Sequence, residues 1–200
     1  MRAKEINDIF RESILDYHIT DHVDAAMPRK YTEDQFGQML YLKNWIDTVQ
    51  WHLEDIIRDP KNEPSFLVAI KRRIDASNQH RTDTVEQLDE LLSENFKNVS
   101  VKENARMNSE TPAWLLDRMS ILQLKIYHFK EQLERNDADE THLNSVRHKL
   151  MILEIQEQDL EQCYDELMED LKAGLKYMKL YKQMKMYNDP NLNPVFYSQK

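Results

Sequence analysis

The sequence contains very little glycine and cysteine. Only two glycines, Gly37 and Gly174, occur in 200 residues, which argues against folds built from glycine-dependent hairpin turns. A single cysteine, Cys163, excludes an internal disulfide framework. Residues that favour helices, such as Leu, Glu, Lys, Gln and Met, are frequent instead. The composition therefore predicts a helical protein.

Long apolar segments are also missing. No run of about 18 apolar residues occurs, so the sequence predicts no transmembrane helix. The segment that begins the chain, MRAKEINDIFRESI, carries charges where a signal peptide has its apolar core. We therefore expect a cytoplasmic protein without a membrane partner. The low cysteine content agrees with a reducing compartment.

Charge is unevenly distributed along the chain. The net charge is −9, and residues 172–200 contain six lysines against one aspartate, so they carry +5 and the rest carries −14. An acidic body repels nucleic acid, and we expect no nucleic-acid partner. The contents of 40% hydrophobic and 32% charged residues are typical of a folded protein. We predict one domain over residues 1–200, with an irregular tail over 190–200.

Apolar residues recur at steps of three and four along most of the chain, the spacing of helices that bury one face. The sequence predicts an all-α fold, a single-domain antiparallel bundle of about five long helices, and no strand. Thr32 and Gln35 predict a capping box at the second helix, and Thr111 before Pro112 predicts the start of the fourth. The helices are expected over residues 3–18, 32–59, 64–96, 112–135 and from 141 onward.

The last helix is expected to be the longest. Its apolar residues keep a heptad-like spacing from Leu143 to Leu171. A continuous helix from Thr141 to Met186 would extend about 70 Å, which exceeds the diameter expected of a domain of this length. We therefore predict a kink or break near Gly174, or a helix that projects from the domain.

The fourth helix has two faces that differ in chemistry. One face repeats leucine, methionine and isoleucine in a core-forming period. The opposite face mixes apolar and charged residues with a histidine, which a solvent-facing surface does not require. We expect this face to meet a second helix layer or a ligand. Its residues are Asp117, Ile121, Leu124, His128 and Glu131, with Arg118 and Lys125 at the edge.

The second helix carries a chemically rich cluster opposite the apolar seam that runs from Met39 to Ile56. Trp51 would supply a stacking wall and Arg58 an anion clamp, while Asp55 is a candidate metal or proton ligand. The alternative is a buried tryptophan with surface ion pairs at i, i+3 and i+4 spacing. The cluster comprises Asn44, Trp51, His52, Glu54, Asp55 and Arg58.

Two smaller clusters lie on the third and fourth helices. Asn78 and Arg81 point together and either bind an anion or hydrogen-bond across the core. Asp117 and His128 share a face but lie about 16 Å apart along the helix axis, so they cannot bind one ion together. They line either a ligand site or a helix–helix interface, with Lys125 at the edge. Asp117 joins Glu54 and Asp55 as a candidate metal ligand.

Signals for particular cofactors are weak. The chain has no Glu-x-x-His motif, which the usual di-iron bundle requires. Two pairs of glutamates, Glu131 with Glu134 and Glu154 with Glu157, have a spacing that also occurs in helical magnesium-dependent nucleotide pyrophosphatases. Magnesium is therefore the cofactor that this spacing suggests. Such pairs arise easily by chance in a chain rich in glutamate.

The C-terminal segment combines lysine with tyrosine. Basic residues recur every three or four positions with aromatic residues between them, a pattern that suits phosphate and base contacts. A solvated helix face whose tyrosines pack on the bundle gives the same pattern. The residues are Lys172, Lys176, Lys179, Lys182 and Lys185, with Tyr177, Tyr181 and Tyr187.

Four segments of the chain form distinctive motifs. They are NWIDTVQWHLEDIIR (44–58), IDASNQHRTDTVEQLD (74–89), TPAWLLDRMSILQLKIYH (111–128) and LYKQMKMYNDPNLNP (180–194). Together they resemble a bacterial family of uncharacterised proteins, the domain-of-unknown-function 4254 family, over about residues 32–194. The resemblance implies an all-helical cytosolic protein and supplies no activity.

Three functions fit these observations. The favoured one is binding of a small anionic or polar ligand, such as a sugar phosphate or a nucleotide. One alternative is a metal-assisted phosphohydrolase with Glu54, Asp55 and Asp117 as metal ligands and His128 as general base. Another is an interaction protein whose long helix pairs with a partner or with a second copy of the chain. The expected ligand-binding residues are Asn44, Trp51, Asp55, Arg58, Asn78, Arg81, Asp117, Lys125 and His128.

Overall fold

Five long helices build the fold in a computed structural model that describes residues 1–184, 186 and 189–198. The predicted all-α class and the long helix near the C-terminus are confirmed. The helices are α1 (Ala3–Thr20), α2 (Gln35–Ile56), α3 (Pro64–Glu94), α4 (Pro112–Leu133) and α5 (Glu140–Lys172), followed by the one-turn α6 (Pro194–Tyr197). None of the described helices is both long enough and apolar enough to cross a membrane.

Helix α4 lies at the centre of the bundle. Among the described residues it is the only helix that contacts all four of the other long helices. Both of its faces are buried, with Leu115 and Met119 on one side and Asp117 and Leu124 on the other. Of the two alternatives expected for its second face, a helix layer or a ligand, the burial of Asp117 and Leu124 shows the helix layer at these two positions.

The starts of α4 and α5 follow from short-range capping. The Thr111 hydroxyl accepts a hydrogen bond from the Trp114 amide at 3.4 Å, and the Asp139 carboxylate accepts one from the His142 amide at 2.7 Å. The cap predicted at Thr32 is wrong. Tyr31 adopts a φ of 57°, so the chain first makes a turn, and α2 begins only after Asp34.

The most buried face of α2 is not the predicted apolar seam. Met39 and Val49 of that seam are only half-buried, whereas Lys43, Asn44 and Asp47 on another face are buried. Helix α2 contacts α1, α3 and α4, so more than one of its faces is covered. This arrangement places polar side chains of α2 inside the bundle.

The predicted break near Gly174 is where α5 ends. Gly174 adopts a φ of 66°, the left-handed conformation that commonly terminates helices. Its carbonyl then accepts a hydrogen bond from the Lys102 amide at 3.0 Å. Two residues later, β2 (Lys176–Tyr177) pairs in parallel with β1 (Arg106–Met107). Two-residue strands leave no periodic pattern, so the sequence did not predict them.

The basic C-terminal segment does not form one helical face, because α5 ends at Lys172. Two of its lysines contact acids of the bundle: Lys176 lies 3.1 Å from Asp170, and Lys182 lies 3.1 Å from Glu90. The acidic body thus attracts its own basic segment. Of the residues singled out in this segment, Lys185 and Tyr187 lie outside the described residues.

Substitution of Gly174 by alanine should lower the free energy of unfolding by about 2 kcal/mol or more, because an L-residue is strained at this φ. The added Cβ would also meet the backbone carbonyl of Ser100. Urea denaturation measures the loss. The matched control is Gly37→Ala, at a position inside α2. The added Cβ meets the movable carboxylate of Asp34, so this substitution should change stability by less than about 1 kcal/mol. Equal losses in the two variants would contradict this account of Gly174.

Candidate functional site

Four charged side chains from three helices form a buried network at the junction of α2, α3 and α4. Lys43 and Asp47 lie one turn apart on α2, contact each other directly, and have no exposed side-chain surface. The Lys43 ammonium lies 3.0 Å from a carboxylate oxygen of Asp117. Arg81 donates from Nε and Nη2 to the two carboxylate oxygens of Asp117 at 2.8 and 2.5 Å. Two cations and two carboxyl groups therefore balance one another.

Uncharged groups extend the network across α4. The Ser120 hydroxyl donates to Asp47 Oδ2 at 2.6 Å, and the Asn44 side-chain amide donates to the Ser120 hydroxyl at 3.0 Å. Asp47 Oδ1 accepts no hydrogen bond and lies 3.5 Å from Arg81 Nε. The network thus fixes the rotation of three helices relative to one another.

The two carboxyl groups of the network differ in their preference for a proton. Burial raises the pKa of Asp47, and the nearby charge of Asp117 raises it further, against the opposing effect of Lys43. Burial also opposes ionisation of Asp117, but the charges and hydrogen bonds of Lys43 and Arg81 outweigh it and lower its pKa. Asp117 is therefore the carboxyl group that stays ionised more readily, and Asp47 is the one that takes up a proton more readily.

A cleft of about 310 Å³ opens above this network. Its volume lies at the lower end of the range for small-molecule sites. Trp51 and Ile121 supply apolar walls. Arg81 reaches it from the buried network with 27% of its side chain exposed, and at its rim Arg58 is paired with Glu54 at 2.6 Å. The lining residues are Asp47, Gln50, Trp51, Glu54, Asp55, Arg58, Arg81 and Ile121.

The structure brings together four of the nine residues expected to bind a ligand: Trp51, Asp55, Arg58 and Arg81 line the cleft. The other five lie around it. Asn44 and Asp117 belong to the network behind Arg81, and the Asn78 side chain accepts a hydrogen bond from Arg81 Nη1 at 3.4 Å. His128 lies behind Trp51, and Lys125 is exposed on α4 outside the lining.

The carboxylates considered as metal ligands do not converge on one point. Asp117 directs both oxygens toward Lys43 and Arg81, and Glu54 is paired with Arg58. Among the described residues, three histidines form the only group of three or more His, Cys, Asp or Glu side chains whose ligand atoms converge.

This histidine cluster consists of His18 from α1, His52 from α2 and His128 from α4. One ring nitrogen from each lies within 4.8 Å of the other two, and the Nε2 atoms of His18 and His52 are 3.3 Å apart. Trp51 stacks on His128 with ring centroids 4.8 Å apart. Trp51 therefore separates the histidine cluster from the cleft.

Neighbouring groups set the orientation of these imidazoles. The Nδ1 of His18 bonds to the Ile14 carbonyl oxygen at 2.7 Å, and the Nδ1 of His128 bonds to the Glu131 carboxylate at 2.7 Å. Both partners are acceptors, so each Nδ1 is the protonated nitrogen and each Nε2 carries the lone pair in the neutral ring. The Nε2 of His128 is buried and has no hydrogen-bond partner.

Aromatic rings and burial complete the surroundings of the cluster. Tyr17 stacks on His52 with ring centroids 5.1 Å apart, and the ring centroids of Tyr127 and His18 are 4.3 Å apart. Burial lowers the pKa of His52, and the neighbouring His18 lowers it further. Burial and the neighbouring His18 thus favour the neutral form of His52.

Four residues of the buried network and the histidine cluster were not predicted: Lys43, Asp47, Ser120 and His18. The only local signal for the first two was an opposite-charge pair at i, i+4 spacing in α2, and such a pair usually lies on the surface of a helix. His18 follows Tyr17 at the end of the apolar stripe of α1, and no spacing links it to the other two histidines.

Comparison with known proteins decides the family. The family model described as "Protein of unknown function (DUF4254)" matches residues 37–180, which are 144 of the 200 residues. The chain belongs to this family. No curated protein and no solved structure matches it. The resemblance of the sequence motifs to the DUF4254 family is thus confirmed, and since the description contains no activity, function must be argued from the sites.

Replacement of Lys43 by methionine should lower the free energy of unfolding of this DUF4254 protein by about 3–5 kcal/mol, because it leaves a buried carboxylate without its cation. Adding Asp47→Asn should restore at least about half of the loss, since Arg81 and Asp117 then balance each other. Urea denaturation measures both effects.

The matched control is Lys71→Met, which breaks an exposed i, i+4 pair with Asp75 and should cost less than about 1 kcal/mol. A double variant at Lys43 and Asp47 that is as unstable as the sum of the two single variants would contradict the charge-balance argument.

Proposed function

We propose that this cytosolic DUF4254 protein binds a small polar ligand with an anionic group, of the size of a sugar phosphate or a nucleotide, in the cleft between α2, α3 and α4. The observation that carries the proposal is the position of Arg81. It is the member of the buried network with the greatest side-chain exposure, and it lines the cleft.

The cost of the network supports a functional role. Replacing buried ion pairs by apolar residues of similar volume is often neutral or stabilising, so stability alone does not require three buried charges and the partly exposed Arg81. They do hold the Arg81 guanidinium in one orientation through its two bonds to Asp117. A binding site requires that the side chains that contact the ligand are held in place by other side chains.

The cleft offers both charge and an apolar surface to such a ligand. Arg81 uses Nε and Nη2 for Asp117, and its Nη1 donates a long hydrogen bond of 3.4 Å to the Asn78 side chain, so Nη1 is not committed to a carboxylate. Arg58 is two-thirds exposed, and its pair with Glu54 is a surface ion pair, worth less than about 1 kcal/mol. A phosphate group can therefore replace Glu54 as the partner of Arg58. Trp51 provides a flat face for a sugar ring or a base.

A thermal-shift screen of nucleotides, sugar nucleotides and sugar phosphates, each with and without magnesium, tests the proposal. A ligand present at about 100 times its Kd should stabilise the fold by about 2.7 kcal/mol, which raises Tm by roughly 5–10 °C. Calorimetry then gives the affinity of any compound that produces a shift. A shift that requires magnesium would favour the alternative function, a metal-assisted phosphohydrolase, and a hydrolysis assay would then follow.

Variants locate the binding site. Arg58→Ala should weaken binding about tenfold, the value of one charge-assisted hydrogen bond, and Arg81→Lys should weaken it while keeping the charge of the network. The matched control is Arg72→Ala, an exposed arginine of α3 outside the cleft. The proposal is wrong if no compound shifts Tm, or if Arg58→Ala and Arg72→Ala bind the ligand equally well.

A further inference from the structure

We propose that His18, His52 and His128 form a transition-metal site, with Zn²⁺ as the ion that their geometry and chemistry fit best. The site is distinct from the cleft and does not depend on the proposed ligand. It joins α1, α2 and α4 on the opposite side of Trp51.

The nitrogen separations agree with tetrahedral coordination. Zinc–nitrogen bonds of about 2.0–2.1 Å in a tetrahedral site place neighbouring nitrogens roughly 3.3 Å apart. The Nε2 atoms of His18 and His52 are separated by 3.3 Å. One ring nitrogen of His128 lies within 4.8 Å of a ring nitrogen of each of the other two histidines, a separation that has to shorten by up to about 1.5 Å for tetrahedral coordination.

The outer partners have the form that metal-binding histidines use. A metal-ligating histidine almost always donates its second N–H to a carboxylate, a backbone carbonyl or water. His128 has the Glu131 carboxylate and His18 has the Ile14 carbonyl in these positions, both at 2.7 Å. For His52, the Asp55 carboxylate lies 3.9 Å from Nδ1. The lone pairs of His18 and His128 are thus preset on Nε2.

The ligand set selects the class of metal. Imidazole nitrogen suits zinc, copper, nickel and iron, whereas magnesium and calcium prefer oxygen ligands. A fourth ligand is near, because the carboxylate of Asp21 at the end of α1 lies 3.9 Å from His52 Nε2. Asp21 is well exposed, so it or a water molecule occupies the fourth position. A zinc ion with three histidines and a water has an open position for a reacting group.

Metal uptake by the untagged, chelator-treated protein tests the site. Titration with Zn²⁺ should reach one equivalent per chain, and Co²⁺ used as a probe should give the intense visible absorption of a tetrahedral nitrogen site. Saturating Zn²⁺ should also raise Tm, because the ion links three helices in the folded state only. Uptake by the wild-type protein of less than half an equivalent of Zn²⁺ overturns the proposal.

Substitutions separate this site from adventitious binding. His52→Gln should lower the affinity for Zn²⁺ at least tenfold, and Glu131→Gln, which replaces the charged outer partner of His128 by a neutral amide, should lower it about 10–100-fold. The matched controls are His80→Gln, His148→Gln and Cys163→Ser, all at exposed positions outside the cluster. These controls should bind Zn²⁺ as tightly as the wild-type protein.

Circular dichroism establishes that each variant is folded. Should His52→Gln fail to fold, Glu131→Gln carries the test, since the Glu131 side chain is 45% exposed and its loss does not disturb the core. Equal affinities of Glu131→Gln and His148→Gln for Zn²⁺ would show that the three histidines are only packed against one another.

Discussion

The Lys43–Asp47–Asp117–Arg81 network is the interaction on which the arrangement of α2, α3 and α4 depends. Charges buried at a helix junction tolerate few alternatives, because any sliding or rotation of one helix leaves a charge without a partner. Apolar contacts between the same helices would accept such movements more readily. The network therefore contributes more to the specificity of the packing than to its stability.

The central position of α4 explains why both candidate sites meet there. Its N-terminal half provides Asp117 and Ser120 to the network, and its C-terminal half provides His128 to the histidine cluster. Trp51 of α2 lies between the two sites and touches both. A change in the rotamer of Trp51 would therefore alter both the wall of the cleft and the stacking on His128.

Helical periodicity was sufficient to predict much of the fold and part of the cleft. Trp51, Asp55 and Arg58 recur at helical spacing, so they could be placed on one face from the sequence alone. Arg81 and Asp117 were both identified, but their pairing depends on the register of α3 against α4, which no local pattern encodes. The polar face of α2 resembles a surface face, and Asp47 is buried where α3 and α4 pack against α2.

The histidine cluster could not be predicted from local sequence patterns, for a different reason. His18 precedes His52 by 34 residues and His128 by 110 residues, so no motif of fixed spacing contains them. Each histidine taken singly resembles an ordinary polar residue at the edge of a core. Only the three-dimensional packing of α1 against α2 and α4 gives these residues a common role.

The short β1–β2 pairing has a mechanical consequence for the cleft. It ties the segment after α5 to the connection that leads into α4, and α4 carries Asp117 into the network beneath the cleft. Tension applied to the C-terminal segment would therefore reach the first turn of α4 through a few backbone hydrogen bonds. In this fold, the position of the segment that follows α5 is therefore coupled to that of α4, the helix that contributes residues to both sites.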